Sequence, residues 1–495
     1  MADSIRNKTV KGVGWSAADA FLGQGITFFV GIILARLLSP SEYGLIGICL
    51  IFTTVLNGIV DSGFSNALIR KNQVSNIDYN TMFLTNMALS VLLYILLFFV
   101  SPYISLFFAR EELSGLIRAM GLILIINALS ITQVTILTKK LDFKTKTKAS
   151  LISAILSGII GIAMAFSGFG VWALVAQQIS KQLLYTTCLW ILNRWWPNFS
   201  FDTSSFKYMW GFGWKIMLSG LLNNIWAQLY QVVVGKFYSP STLGQYSRSK
   251  EYASIFSSQI TTIVQRVTYP VLSEIQNDQT RMLAAYRKVI KVTMFVTCVS
   301  MLWIASMSES LIMFLIGPQW HEASTYLPLI CISMSLYPLH AINLNMLQVQ
   351  GRSDIFLYLE VIKKFLAIFP ISMGIFIGIY WMLIASIITG VISFFLNTYY
   401  TGVKLNYSSW SQIKDVAPAY WYGIVIAICV YFFKFLPVSN SLILLIQVIV
   451  GMACIFVYGE LTHNNEYLEI KRILVTLIKK FSRHIPFNQN ESTIS

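Results

Sequence analysis

Long apolar runs separated by short polar loops follow one another along the chain. They occupy 14–37, 44–63, 81–100, 115–137, 149–166, 171–193, 210–236, 243–268, 289–316, 325–348, 356–377, 380–402, 417–436 and 440–459. At ~1.5 Å per helical residue, a run of about 20 residues crosses a bilayer. A chain inside hydrocarbon must satisfy its own backbone, so it spans as helices or as a closed barrel. The alternating ~10-residue segments of a barrel are absent. The pattern predicts an all-α polytopic membrane protein of about fourteen transmembrane helices. The first run lacks a small-residue cleavage site and reads as a retained span.

Polar residues enter a few runs at helical spacing. In 243–268 they are Ser247, Lys250, Glu251, Ser254, Ser257, Ser258, Thr261 and Gln265. In 210–236 they are Gly220, Asn224, Gln228, Gln231 and Gly235, with Asn223 alongside. The first run shows Ser16, Asp19, Gly23, Thr27 and Gly31, and the second Thr53, Asn57 and Asp61. A buried polar group in lipid is costly and faces either a hydrated cavity or another helix. Both readings stand for the small and amide residues.

One stretch occurs twice. Gly12-Val13-Gly14-Trp15 opens the first copy and Ser39-Pro40-Ser41-Glu42-Tyr43-Gly44 closes it. Gly211-Phe212-Gly213-Trp214 and Ser239-Pro240-Ser241-Thr242-Leu243-Gly244 mark the second, at offsets of 199 and 200 residues. A solenoid repeats every ~20–50 residues, so this period indicates two copies of a larger bundle. The expected domains are two six-helix bundles, 1–200 and 201–405, related by a pseudo-two-fold along the membrane normal. Two further helices follow in 406–460, and then a polar tail, 461–495. Within the tail, 471–480 reads as an amphipathic helix on the membrane surface. The four runs with polar stripes are the first and second of each bundle, which predicts that they share a central cavity.

Composition narrows the class. The chain is 56% hydrophobic and 12% charged, against ~25% charged in soluble proteins. A net charge of +15 would suggest nucleic acid in a soluble chain; here the cations sit in short loops, so no nucleic-acid partner is expected. With the N-terminus inside, 27 of the 36 Lys and Arg fall on the cytoplasmic side. Seven fall outside: Arg36, Arg110, Arg118, Lys236, Arg248, Lys250 and Lys434. That asymmetry places both termini in the cytoplasm. Six scattered cysteines and four unclustered histidines suggest neither a disulfide framework nor a metal site. There is no P-loop and no nucleophile–base constellation, so neither a cofactor nor an enzyme is expected.

Individual charges keep alternatives. Asp19 is an ion-coupling or substrate carboxylate, or the partner of a nearby lysine. Asp61 is an ion-coupling candidate, or caps its helix or meets Arg70. Glu251 is a third ion-coupling candidate. Lys215 lies near the cytoplasmic mouth and reaches the cavity or snorkels. Lys181 lies too deep to snorkel and reaches the cavity or a partner. Arg36 and Lys236 read as interface anchors.

Several marks together resemble a known family. They are Ala35-Arg36-Leu37-Leu38-Ser39-Pro40-Ser41-Glu42-Tyr43-Gly44, its counterpart from Val234 to Ser247, Tyr269-Pro270-Val271-Leu272-Ser273, Gly317-Pro318-Gln319-Trp320 and Gln350-Gly351-Arg352-Ser353-Asp354. The chain resembles the bacterial Wzx-type flippases for lipid-linked O-antigen and exopolysaccharide units. These form the polysaccharide-transport branch of the superfamily that includes multidrug and toxin extruders and the lipid II flippase. The resemblance implies alternating access and an undecaprenyl-pyrophosphate-linked glycan as substrate. It also implies membrane lipids, a polysaccharide polymerase and chain-length proteins as partners, and the bacterial cytoplasmic membrane as location. On that reading Arg248, Lys250, Lys215 and Arg266 serve the pyrophosphate, and Asn223, Asn224, Gln228 and Gln231 the glycan. Where the family often has an acidic residue late in the seventh span, this chain has Gln228 and Gln231. A drug/cation antiporter would want acidic residues in an apolar pocket, and a glycan polymerase or ligase a large outer loop; the sequence shows neither.

Overall fold

The computed structural model describes residues 14–15, 19–61, 63–275 and 278–482. Among them there are helices and no strands. A π-helical turn, Asp19–Gly23, leads into α1 (Gln24–Leu37), followed by α2 (Pro40–Val60), α3 (Phe64–Arg70), α4 (Asn76–Phe108) and α5 (Glu112–Lys139). Then come α6 (Phe143–Phe166), α7 (Val171–Asn193), α8 (Thr203–Phe237), α9 (Pro240–Glu274), α10 (Gln279–Ser306) and α11 (Ser308–Leu315). After a short 3-10 turn follow α12 (His321–Ser335), α13 (Tyr337–Val349), α14 (Ser353–Leu366), α15 (Ile368–Phe376), α16 (Ile379–Leu405), α17 (Ser409–Tyr431), α18 (Asn440–Thr462) and α19 (Asn465–Ser482).

Every expected run contains a helix, but not every run is one helix. The run at 325–348 breaks at Leu336, where Pro338 in the first turn of α13 needs no donor. The run at 356–377 is two short helices meeting at Ala367. Among the described residues nine helical segments are long and apolar enough to cross a membrane, and Phe21–Leu37 is a shorter apolar helix. The remaining expected spans fall below that standard: α7, α8 and α9 because of their polar residues, α14 and α15 because of the break.

Two compact units form. One is Met1–Ser247 with Leu315–Trp320; the other is Arg248–Phe314 with His321–Ser495.

The first unit brings the two repeat marks together. Ser39 is the N-cap of α2: its Oγ accepts from the Glu42 amide, and the Glu42 carboxylate accepts from the Ser39 amide at 2.6 Å. Ser239 accepts from the Thr242 amide at 3.1 Å in the same way. Each proline stands in the first turn of its helix, where a missing N–H costs nothing. The glycines explain the rest of the mark. A Cβ on Gly44 would stand 1.8 Å from the Pro240 carbonyl oxygen, and one on Gly244 would stand 1.9 Å from the Pro40 oxygen. The first turns of α2 and α9 therefore touch backbone to backbone, each through the other's glycine.

The cations of the two copies are also used reciprocally. Arg36, at the end of α1, donates to the Leu315 carbonyl at the end of α11 at 2.7 Å. Lys236, at the end of α8, donates to the Phe107 carbonyl at the end of α4. Beyond an interface position, each caps orphan carbonyls at another helix's C-terminus. Gly317-Pro318-Gln319-Trp320 closes over α1: the buried Trp320 indole donates to the Ala35 carbonyl at 2.8 Å and meets the Tyr43 ring edge-on at 5.3 Å.

In the second unit the core is organised by a buried amide. Asn343 Oδ1 accepts from Tyr286 at 2.8 Å, Thr401 at 2.9 Å and Gln412 at 3.2 Å, while its Nδ2 donates to Gln412 Oε1 at 3.1 Å and to the Leu339 carbonyl at 2.9 Å. That joins α10, α13, α16 and α17. The Asp415 carboxylate accepts two bonds from Arg287 and one from Tyr407.

Candidate functional site

The polar pair α8–α9 holds most of the candidate residues. α8 starts at an N-cap, Asp202, whose Oδ2 accepts from the Ser205 amide and the Ser204 hydroxyl at 2.7 Å each. These serine donors hold the half-buried Asp202 carboxyl well below the usual carboxylate range. The helix then crosses α2 closely: a Cβ on Gly58 would stand 2.7 Å from Asn224 Nδ2. One turn on, Gln228 enters the wall of an apolar cavity of about 330 Å³ between α2, α4 and α8, with Phe52, Leu97 and Leu229 among its lining. Gln228 Oε1 is buried there and has no hydrogen-bond partner among the described residues. An unpaired amide oxygen in an apolar wall costs about 1–3 kcal/mol, so it marks a place where a donor is wanted. Asn223 and Lys215 are exposed on α8, and Gln231 is half-buried.

On α9 the cations are unlike one another. Arg248 Nη1 is 2.8 Å from Glu251 Oε2, an i,i+3 ion pair. The cationic candidate and the ion-coupling candidate thus share their charge. Lys250 is half-buried and has no hydrogen bond or ion pair among the described residues. The side chain of Arg266 lies outside the described residues.

The other candidates sit elsewhere. Asp19 lies in the π-helical turn, a local geometry that recurs at functional positions. Its Oδ1 is buried without a hydrogen-bond partner among the described residues, within electrostatic reach of Lys146 and Tyr185. Lys181 is half-buried on α7. Asp61 closes α2 and accepts from Ser65 at 2.5 Å, and Ser65 accepts from Thr135 at 3.0 Å. The second run's stripe is largely helix-to-helix bonding. Asn57 accepts from Asn127 at 2.9 Å, Asn127 accepts from Gln182 at 3.1 Å, and Thr53 bonds back to its own helix. Of the first stripe, Ser16 lies outside the described residues, as do Gly12 and Val13 of the first repeat mark.

Two features escape a reading of the sequence. Asn343 sits in an apolar run with no periodic polar partners. Arg70 and Lys71 read only as loop charges, yet they form a cavity wall.

The fold and this polar pair in an otherwise apolar helical chain define a polytopic membrane protein. Residues 33–325 match the profile described as "Polysaccharide biosynthesis protein", and the chain belongs to that family. It is 26% identical to the succinoglycan biosynthesis transport protein ExoT of Rhizobium meliloti, over 68% of each chain. It is 27% identical to the teichuronic acid biosynthesis protein TuaB of Bacillus subtilis, over 83% of this chain and 86% of that one. With the lipopolysaccharide biosynthesis protein WzxC of Escherichia coli it shares 22% over 79% and 81%. Its fold is similar to that of the lipid II flippase MurJ in an inward closed conformation, with a TM-score of 0.70 at 17% identity, covering 92% of this chain and 99% of that one. An inward-facing MATE-family multidrug transporter gives 0.57 at 12% identity, over 78% and 98%.

Proposed function

We propose that this protein is a flippase, not an enzyme, that carries a lipid-linked oligosaccharide unit across the bacterial cytoplasmic membrane for surface polysaccharide assembly. The observation that carries this reading is membership of the polysaccharide biosynthesis family. The relatives' named roles in succinoglycan transport and in teichuronic acid and lipopolysaccharide biosynthesis support it. The substrate is an undecaprenyl-pyrophosphate-linked glycan, delivered to a polymerase and chain-length proteins on the far side. Both termini are cytoplasmic, and the bundles 1–200 and 201–405 alternate access, with 406–460 outside them.

The physical problem is the head group. A pyrophosphate and several sugars must pass a hydrocarbon layer in which an unpaired charge costs at least several kcal/mol, while the prenyl chain can remain in lipid. The amides on α8 (Asn223, Asn224, Gln228 and Gln231) offer donors and acceptors to sugar hydroxyls. Lys250 is a point-charge ligand for phosphate, with Lys215 and Arg266 as further cations. Arg248, ion-paired to Glu251 at 2.8 Å, is the remaining cation of this set.

Lys250→Ala should reduce leaflet-resolved appearance of the lipid-linked glycan at least tenfold, with protein level unchanged. Lys250→Arg should retain part of it. Undiminished translocation by Lys250→Ala would remove Lys250 from the substrate path. Undiminished translocation in a strain lacking the whole protein would overturn the function.

A further inference from the structure

A second cavity, of about 410 Å³, lies where α3 ends and α8 begins, lined by Arg70, Lys71, Asn72, Tyr208 and Phe212. We infer that it is a binding site for a lipid-borne phosphate ester at the membrane surface, with Arg70 as the principal anion ligand and Tyr208 as a platform for the group attached to the phosphate.

Charge comes first. Lys71 Nζ is 2.8 Å from the Asp78 carboxylate, so one wall cation is neutralised. Arg70 has no carboxylate within reach among the described residues, and its guanidinium lies 5.0 Å from the Phe212 ring centroid. Stacking uses the face of a guanidinium and leaves its in-plane N–H donors for a bidentate anion. Lys139 adds a third positive charge behind the wall, donating to the carbonyls of Leu68, Ile69 and Lys71.

The corner is built rather than loose. Gly63, at φ +68°, starts α3, and a Cβ there would stand 2.5 Å from the Gly213 carbonyl oxygen of α8. Phe64 is fully buried against Phe206 and Trp210. Asp78 accepts from Ser205 at 2.7 Å and from the Ser75 amide at 2.9 Å, tying the start of α4 to the start of α8. The helices that carry Arg70 and Tyr208 are therefore packed together before any ligand arrives, which lowers the ordering cost of binding.

Position selects the ligand class. The cavity lies beside the short loop between two bilayer-length apolar helices, Pro40–Arg70 and Asn76–Phe108. Lipid phosphates lie at this level, where bilayer-length helices end. Lys71 Nζ lies 5.3 Å from the Tyr208 ring centroid, over one face; Tyr208 still leaves 46% of its surface open to a sugar or glycerol group, and the exposed Asn72 amide can bond hydroxyls.

Two lipids supply this chemistry: the pyrophosphate-linked substrate of the proposed transport, or an anionic phospholipid. The site needs only the membrane-protein reading and would survive failure of the transport reading. The full chain in phosphatidylcholine nanodiscs should bind farnesyl pyrophosphate, and Arg70→Ala should weaken that binding tenfold or more without shifting the melting temperature. Arg70→Lys should recover little of it, and Tyr208→Ala should weaken it less than Arg70→Ala. Competition by phosphatidylglycerol at equal concentration would assign the site to the phospholipid headgroup; absence of competition would assign it to the pyrophosphate substrate. No binding by the unmodified protein, or binding by Arg70→Ala as tight as by the unmodified protein, would overturn the site.

Discussion

At the scale of single residues, a polar side chain in an apolar run has two uses, and spacing alone does not separate them. Asn57 and Gln228 look alike in the sequence: each is an amide-bearing residue in a stripe at helical spacing. Asn57 spends its oxygen on Asn127 at 2.9 Å, whereas Gln228 Oε1, in a cavity wall, has no partner among the described residues. The partner that decides the matter is 70 residues away, and no local pattern carries it. Asn343 makes the same point from the other side. Three donors converge on its one oxygen; removing it strands the Tyr286 hydroxyl and the Gln412 amide in the core, while Thr401 keeps its bond to the Asn397 carbonyl at 3.1 Å. Each stranded group costs about 1–3 kcal/mol. Asn343→Leu should therefore lower the melting temperature of the purified protein far more than Asn223→Ala, whose side chain is exposed. Equal melting temperatures for the two variants would show that the network contributes nothing to stability.

At the scale of helices, hydrophobic patterning located the long helices but neither their breaks nor the short α3 (Phe64–Arg70). Each expected run holds a helix, because apolarity over about 20 residues is a strong signal. The breaks at Met307, Leu336 and Ala367 interrupt helices whose apolar character continues on both sides, so hydropathy passes over them. The repeat marks were legible as a recurrence; their function as a contact was not. Gly44 and Gly244 sit at the same place in two helices, and each leaves room for the other's proline carbonyl. Gly44→Ala alone and Gly244→Ala alone should each force the first turns of α2 and α9 apart. Overpacking of this kind costs about 1–3 kcal/mol, and more when backbone is the obstacle. The two substitutions break one contact, so the double variant should lose clearly less than the sum of the singles. Thermal unfolding of the four proteins measures this directly, and strict additivity would show that the two glycines act independently.

At the scale of the whole chain, the two counts of membrane crossings differ in parity. Fourteen runs put both termini on one side; the nine apolar segments put them on opposite sides. The five expected spans that fall short are the first helix, the polar helices α7, α8 and α9, and the broken pair α14–α15. Their polarity is what a transporter needs and what a hydropathy window penalises, so they are the ones a composition test should lose. Charge argues for fourteen. If only the nine crossed, with Lys71 kept on the cytoplasmic side, then Arg194, Lys207, Arg281 and Arg352 would all face outward, against the cation asymmetry of bacterial membrane proteins. The loop holding Ser353 separates the two counts: it is cytoplasmic with fourteen crossings and external with nine. The loop holding Ser439 is external in both. In intact cells a membrane-impermeant thiol reagent should therefore label Ser439→Cys and leave Ser353→Cys unlabelled until the membrane is opened. Labelling of Ser353→Cys in sealed cells would mean that the polar helices α7, α8 and α9 do not all cross, and the proposed path for the head group along α8 and α9 would fail with them.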